Sequence, residues 1–174
     1  PTRRSSDLFL DGRDVPPRSA MTYLSALEAK FSELGLGRIG VISGRFYAMD
    51  RDKRWERLEL AYNSLTLSEG IKASSAAEAI QISYDKDESD EFVLPTIVDD
   101  TPIKDGDSVI FINYRPDRAR EITRAIVDPD FDGFARKKTL SNLVYVCMAE
   151  YDTSMPNVKV AFPRSEERRV GKEC

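Results

Sequence analysis

Ile39-Gly40-Val41-Ile42-Ser43-Gly44-Arg45-Phe46-Tyr47-Ala48-Met49-Asp50-Arg51-Asp52-Lys53-Arg54-Trp55 runs from a short apolar segment into the densest gathering of charge in the chain. The apolar segment reads as a strand and the residues after Asp52 as a helix. The guanidinium groups of Arg45 and Arg51 therefore gather where a strand ends and a helix begins, which is where open α/β sheets bind ligands. Arginine's planar fork matches carboxylate and phosphate oxygens, and a helix N-terminus offers oriented N–H groups to the same anion. A small phosphorylated acid suits this chemistry first. A surface loop of mutual ion pairs is the bland alternative.

Upstream, Phe9-Leu10-Asp11-Gly12-Arg13-Asp14 looks like a strand breaking into a turn, and Pro16-Pro17 bars an immediate helix. Ser19 can cap the helix that follows, whose apolar residues Leu24, Leu27, Phe31 and Leu34 recur at helical spacing until Gly35 stops it. Downstream, Trp55, Leu58, Tyr62 and Leu65 form the buried stripe of a second helix ending near Gly70, with Asp52 as its cap. Arg54 and Arg57 fall inside that helix, where a solvated face or an i,i+4 pair is the better reading. Ser75 and Glu78 make a capping box for a shorter helix. The acidic run 85–91 reads as a solvated loop, and 92–98 as a strand in which Pro95 suggests an edge or bulge position. Residues 108–114 read as a buried strand that delivers Arg115-Pro116-Asp117-Arg118 to a helix carrying Ala119, Ile122 and Ile126 and ended by Asp128-Pro129. A last apolar strand spans 143–148, and 153–163 reads as an irregular exit.

Strands alternating with helices predict an α/β fold with a mostly parallel sheet sandwiched by helices. The C-terminal strand ends of such a sheet share one edge. Arg13 with Asp14, Arg45 with Arg51, and Arg115 with Arg118 should converge there from three separate stretches.

Composition narrows the chemistry. At 174 residues, 41% hydrophobic and 32% charged, the chain fits one globular domain. No membrane span or signal peptide is legible, so a cytoplasmic protein is expected. Two cysteines, Cys147 and Cys174, do not make a disulfide framework, and Cys147 in its apolar run reads as a buried thiol. With no histidine, imidazole acid/base work and Ser-His-Asp hydrolysis are excluded, and no metal site is expected on this chain.

The two ends look foreign. Residues 1–8 can be encoded by an oligonucleotide whose reverse complement encodes residues 164–171, and that oligonucleotide resembles a common sequencing adapter. Residues 1–8 and 164–174 are therefore expected to be adapter-derived tails, with natural sequence only over about 9–163. Each tail carries a net charge of +1, so the core lies near −6 against −4 for the chain. An acidic core with focused arginines argues against nucleic-acid binding through the Arg/Tyr/Phe loop and for an anion pocket.

The three arginine motifs together, with Asp90-Glu91-Phe92-Val93-Leu94-Pro95 and Val146-Cys147-Met148-Ala149-Glu150-Tyr151-Asp152 in the same order, resemble the cofactor-independent (2,3-bisphosphoglycerate-independent) phosphoglycerate mutases. That family has a phosphatase-like domain, with a serine nucleophile and two divalent metals, usually manganese, and an inserted phosphotransferase domain that holds the glycerate. Residues 9–163 resemble most of the second, as a truncated domain. The resemblance implies a cytoplasmic, monomeric glycolytic isomerase that acts on phosphoglycerate, with no nucleic-acid or membrane partner. By position, Arg13, Arg45, Arg51, Arg115 and Arg118 match the substrate-gripping arginines. Asp14 matches the carboxylate that orients or exchanges a proton with a glycerate hydroxyl. Nothing here matches the family's serine nucleophile, its metal-binding sets, its substrate-binding histidine or its catalytic lysine. The fragment alone is expected to be inactive and to bind no metal, and a non-catalytic phosphate- or carboxylate-binding module is the rival reading.

Overall fold

The computed structural model describes residues 5–163. The expectation of foreign tails falls partly outside it, on 1–4 and 164–174. Residues 5–8 open the first strand. The elements are β1 (Ser5–Leu10), α1 (Ala20–Leu34), β2 (Arg38–Gly44), α2 (Arg45–Ala48), α3 (Trp55–Leu67), β3 (Ile71–Lys72), α4 (Ala76–Tyr84), a 3₁₀ turn (Asp90–Phe92), β4 (Thr96–Ile97), β5 (Ser108–Phe111), α5 (Pro116–Val127), β6 (Val144–Ala149) and β7 (Val158–Phe162). The α/β class is as expected.

The strands form two sheets, of order β1-β2-β4-β3 and β5-β6-β7. All pairs are parallel except β2 with β4. Two clusters make the core. Leu58, Tyr62 and Leu65 of α3 meet Ala119, Ile122 and Ile126 of α5 over β5 and β6. Ala20 and Leu24 of α1 meet Ala79 and Ile80 of α4 over Ile39 and Ile42 of β2. Ile42, Leu58 and Ile80 are fully buried, each contributing roughly 1.5–3 kcal/mol. Trp55 is half-buried against Phe131, with ring centroids 5.4 Å apart. Cys147 is a buried free thiol, pushed up to about 11 by burial.

Several local expectations are corrected. Ser19 precedes α1 without a side-chain cap. Asp90, 1% exposed, takes that role: its Oδ2 accepts the Ser19 and Ala20 N–H groups at 2.8 and 2.9 Å, and its Oδ1 accepts the Tyr84 hydroxyl at 2.6 Å. The acidic run thus ends in a structural anchor. Asp52 does not cap α3; Asp50, two residues earlier, accepts the N–H groups of Asp52 and Arg54 at 3.0 and 2.9 Å. Ser75 does accept the Glu78 N–H at 3.1 Å, but the Glu78 carboxylate returns to Ser74 at 2.6 Å. The strand at 108–114 ends at Phe111 and is not buried, with Ile110 and Ile112 62% and 74% exposed. The expected irregular exit contains β7.

Two glycines show how the turns are locked. Gly12 has φ +64°, and a Cβ there would meet the Glu91 amide at 2.7 Å. A Cβ on Gly44 would run into the Glu91 carbonyl, and the Gly44 N–H donates to Val93 O at 2.7 Å. The turn after β1 and the end of β2 are therefore both pressed against the Asp90–Phe92 turn, which needs residues without side chains.

Candidate active site

β1 and β2 run parallel, with Leu10 opposite Gly44, so the residues just beyond both strands emerge side by side. α5 begins at Pro116, whose missing N–H and fixed φ suit the first helical position, directly after the segment that follows β5. The three arginine-bearing stretches therefore reach one edge.

Arg45 lies deepest, at 5% exposure. Its Nη1 donates to Asp14 Oδ2 at 3.0 Å and also to Asp11. Burial works against its charge, but these two carboxylates outweigh burial and move the guanidinium above its usual range. Asp14 itself is exposed, and its carboxyl is held below the ordinary value by the hydrogen bond and charge of Arg45, with Arg115 and Arg13 adding to the effect. Arg115 Nη1 lies 4.0 Å from Asp14. Arg13 reaches outward to Glu91 at 3.8 Å.

On the other flank, Asp117 bridges two cations, accepting from Arg51 Nη1 at 2.8 Å and Arg115 Nε at 2.9 Å. Arg118 donates to the Met49 carbonyl at 3.1 Å. Its guanidinium is pushed below the usual arginine range by burial first, and then by the charges of Arg45, Arg51 and Arg115, which Asp117 only partly offsets. The buried Nε atoms of Arg45 and Arg118 have no partner among the described residues. Crowded cations favour an anion, which would relieve their repulsion.

All six expected residues, Arg13, Asp14, Arg45, Arg51, Arg115 and Arg118, are brought to this edge. Sequence reasoning missed the acids that hold them: Asp11, Glu91 and Asp117. Each stands within or beside a quoted motif, so the available signal was adjacency to arginine. Behind Arg51, buried Asp50 and Glu121 tie down the loop, Glu121 Oε1 accepting the Lys53 N–H at 3.1 Å. Arg57 does not point to bare solvent; its guanidinium lies 3.8 Å over the Phe46 ring.

Comparison with known proteins agrees with this architecture. A 2,3-bisphosphoglycerate-independent phosphoglycerate mutase from Clostridium perfringens is 56% identical over 169 residues, covering 94% of this chain and 33% of the relative's length. One from Clostridioides difficile is 52% identical, with the same coverage. A solved structure of Leishmania mexicana phosphoglycerate mutase at low cobalt concentration superposes with a TM-score of 0.86 at 32% identity, over 92% of this chain and 32% of that one. The chain spans about a third of the length of the curated relatives it matches. The BPG-independent PGAM N-terminus (iPGM_N) family matches residues 3–153, and the chain belongs to that family.

Proposed function

We propose that this chain is the substrate-gripping part of a phosphoglycerate mutase that interconverts 2- and 3-phosphoglycerate. The observation that carries the reading is the guanidinium cluster of Arg45, Arg51, Arg115 and Arg118, gathered from sequence-distant stretches by contacts with Asp14, Asp117 and the Met49 carbonyl. Arg45, Arg51, Arg115 and Arg118, with Arg13 at the rim, hold the carboxylate and the phosphate of phosphoglycerate through charge-assisted hydrogen bonds. Asp14, kept ionised by its cationic neighbours, accepts a hydrogen bond or a proton from the glycerate hydroxyl and fixes which oxygen faces the transferring phosphoryl group.

Phosphoryl transfer and metal chemistry belong to parts of the enzyme outside this chain. Among the described residues no group of three or more His, Cys, Asp or Glu side chains is placed to hold a metal ion. The intact enzyme, in this reading, is a manganese-dependent cytoplasmic monomer of glycolysis. Among the described residues no helix is long and apolar enough to cross a membrane.

The test is a chimera: residues 9–163 of this chain replace the matching segment of the Clostridium perfringens relative. The chimera is expected to turn over 3-phosphoglycerate with manganese, and the isolated 174-residue chain is not. Arg118→Ala in the chimera should lower kcat/KM at least a hundredfold, since a charge-assisted contact is worth roughly 3 kcal/mol. Undiminished turnover in Arg118→Ala, or turnover by the isolated chain, would overturn the reading.

A further inference from the structure

β1 and β5 are each paired on one side only among the described residues, β1 with β2 and β5 with β6. Their free edges face each other across an open trough of about 1830 Å³, lined by β1 on one side and by β5 on the other. The two strands point the same way. Ser5 at the start of β1 meets Thr101, upstream of β5, at 3.1 Å; Phe9 meets Phe111 with ring centroids 5.7 Å apart; and Asp14 beyond β1 meets Arg115 beyond β5.

Both faces of the trough carry apolar side chains, though Asp7, Asp11, Asp14 and Arg45 also line it. On one, Phe9, Val109 and Phe111 pack on the cluster of Ile122, Ile126 and Tyr145. On the other, Leu8 and Leu10 pack under α1, while Tyr23, Ile110 and Ile112 stay exposed at 60%, 62% and 74%. Free backbone donors and acceptors beside uncovered Ile and Tyr are what a sheet leaves when a strand is absent.

We infer that the trough takes one extended polypeptide strand, apolar on both faces and supplied from outside this chain, which joins the two sheets into one. Backbone pairing on both edges would supply affinity, and alternate side chains would cover Ile110 and Ile112 on one face and extend the Phe9–Phe111 cluster on the other. The source is polypeptide from the two-thirds of the relatives' length that this chain does not span. Residues 164–174 are mostly charged and are a poor match for the exposed Tyr23, Ile110 and Ile112 along the slot. The inference does not depend on the identity of the small-molecule ligand.

Overlapping ten-residue peptides tiling the unspanned part of the Clostridium perfringens relative test this. One adjoining set should raise the melting temperature of the chain by several degrees, or induce cooperative melting where the free chain shows none. It should also protect the amides of β1 and β5 from hydrogen exchange. Ile110→Lys, a change at an already exposed site, should leave free-chain melting unchanged and weaken that peptide at least tenfold. No stabilising peptide, protection elsewhere, or protection of the same amides by self-association without peptide would each overturn the inference.

Discussion

The buried acid pair behind the Arg51 loop makes a quantitative prediction about pH. Glu121 is 9% exposed and lies beside Asp50, 5% exposed, while its Oε1 holds the Lys53 N–H. Burial first, and the Asp50 carboxylate next, push the Glu121 carboxyl from 4.5 up to about 7, with Asp52 adding to the effect and the Lys53 N–H opposing it. In the unfolded chain the group ionises at its ordinary value. Between these two values the folded state keeps a proton that the unfolded state has lost, so stability falls as pH rises through the window and levels off above it. At about 1.36 kcal/mol per unit, the whole shift caps the loss at about 3 kcal/mol, equivalent to roughly 6–12 °C in melting temperature for a domain of this size. Glu121→Gln keeps the shape and cannot ionise. Urea unfolding followed by the fluorescence of Trp55, the only tryptophan, should show the variant equal to the parent near pH 4.5. By pH 8 the variant should be about 2–3 kcal/mol more stable than the parent. Parallel stability curves for the two proteins across that range would refute the reasoning.

Two further outcomes are expected. Asp90→Ala removes the acceptor of two α1 amides and of the Tyr84 hydroxyl, and should lower the urea-derived stability by about 2–4 kcal/mol. Asp7 sits in β1 with its carboxyl pushed up to about 6 by burial, the Val41 N–H working the other way; Asp7→Asn should stabilise the chain by about 2 kcal/mol at pH 7 and by little below pH 4, read by the same unfolding assay.

The sequence made the repeating strand-to-helix logic visible because apolar periodicity and helix breakers are local signals. Gly35 ends α1 with φ +60°, Pro116 opens α5, and the Leu58, Tyr62, Leu65 stripe is buried as its spacing predicts. The arginines were legible for the same reason: each stands just beyond a strand. What stayed hidden depends on distant partners. Asp90 looks solvated within an acidic run, and only the fold places it under α1, some seventy residues earlier in the chain. The run 109–112 is apolar throughout and reads as burial, yet the free edge and uncovered face of β5 leave Ile110 and Ile112 in water. Residues 158–162 do carry a period-two signal in Val158, Val160 and Phe162, short and set between Pro156 and Pro163, and they pair with β6 as β7.

The acids that were hardest to read are also the ones that set the geometry of the cationic edge. Five guanidinium groups near one another repel, and long side chains lose rotamer freedom when fixed. Asp117 holds two of them at once from the first turn of α5, where a carboxylate also suits the helix N-terminus. Asp11 and Asp14 hold Arg45 from the turn after β1. That turn is in turn fixed by the fit of Gly12 and Gly44 against the Asp90–Phe92 segment, and by the Arg13–Glu91 pair. A segment that offers no donor to an anion therefore decides where two of the arginine-bearing loops stand. The carboxylates cancel part of the charge that would drive the arginines apart, but leave Arg118 among the cations Arg45, Arg51 and Arg115. An incoming anion then completes an arrangement already in place and spends little of its binding energy on assembling it.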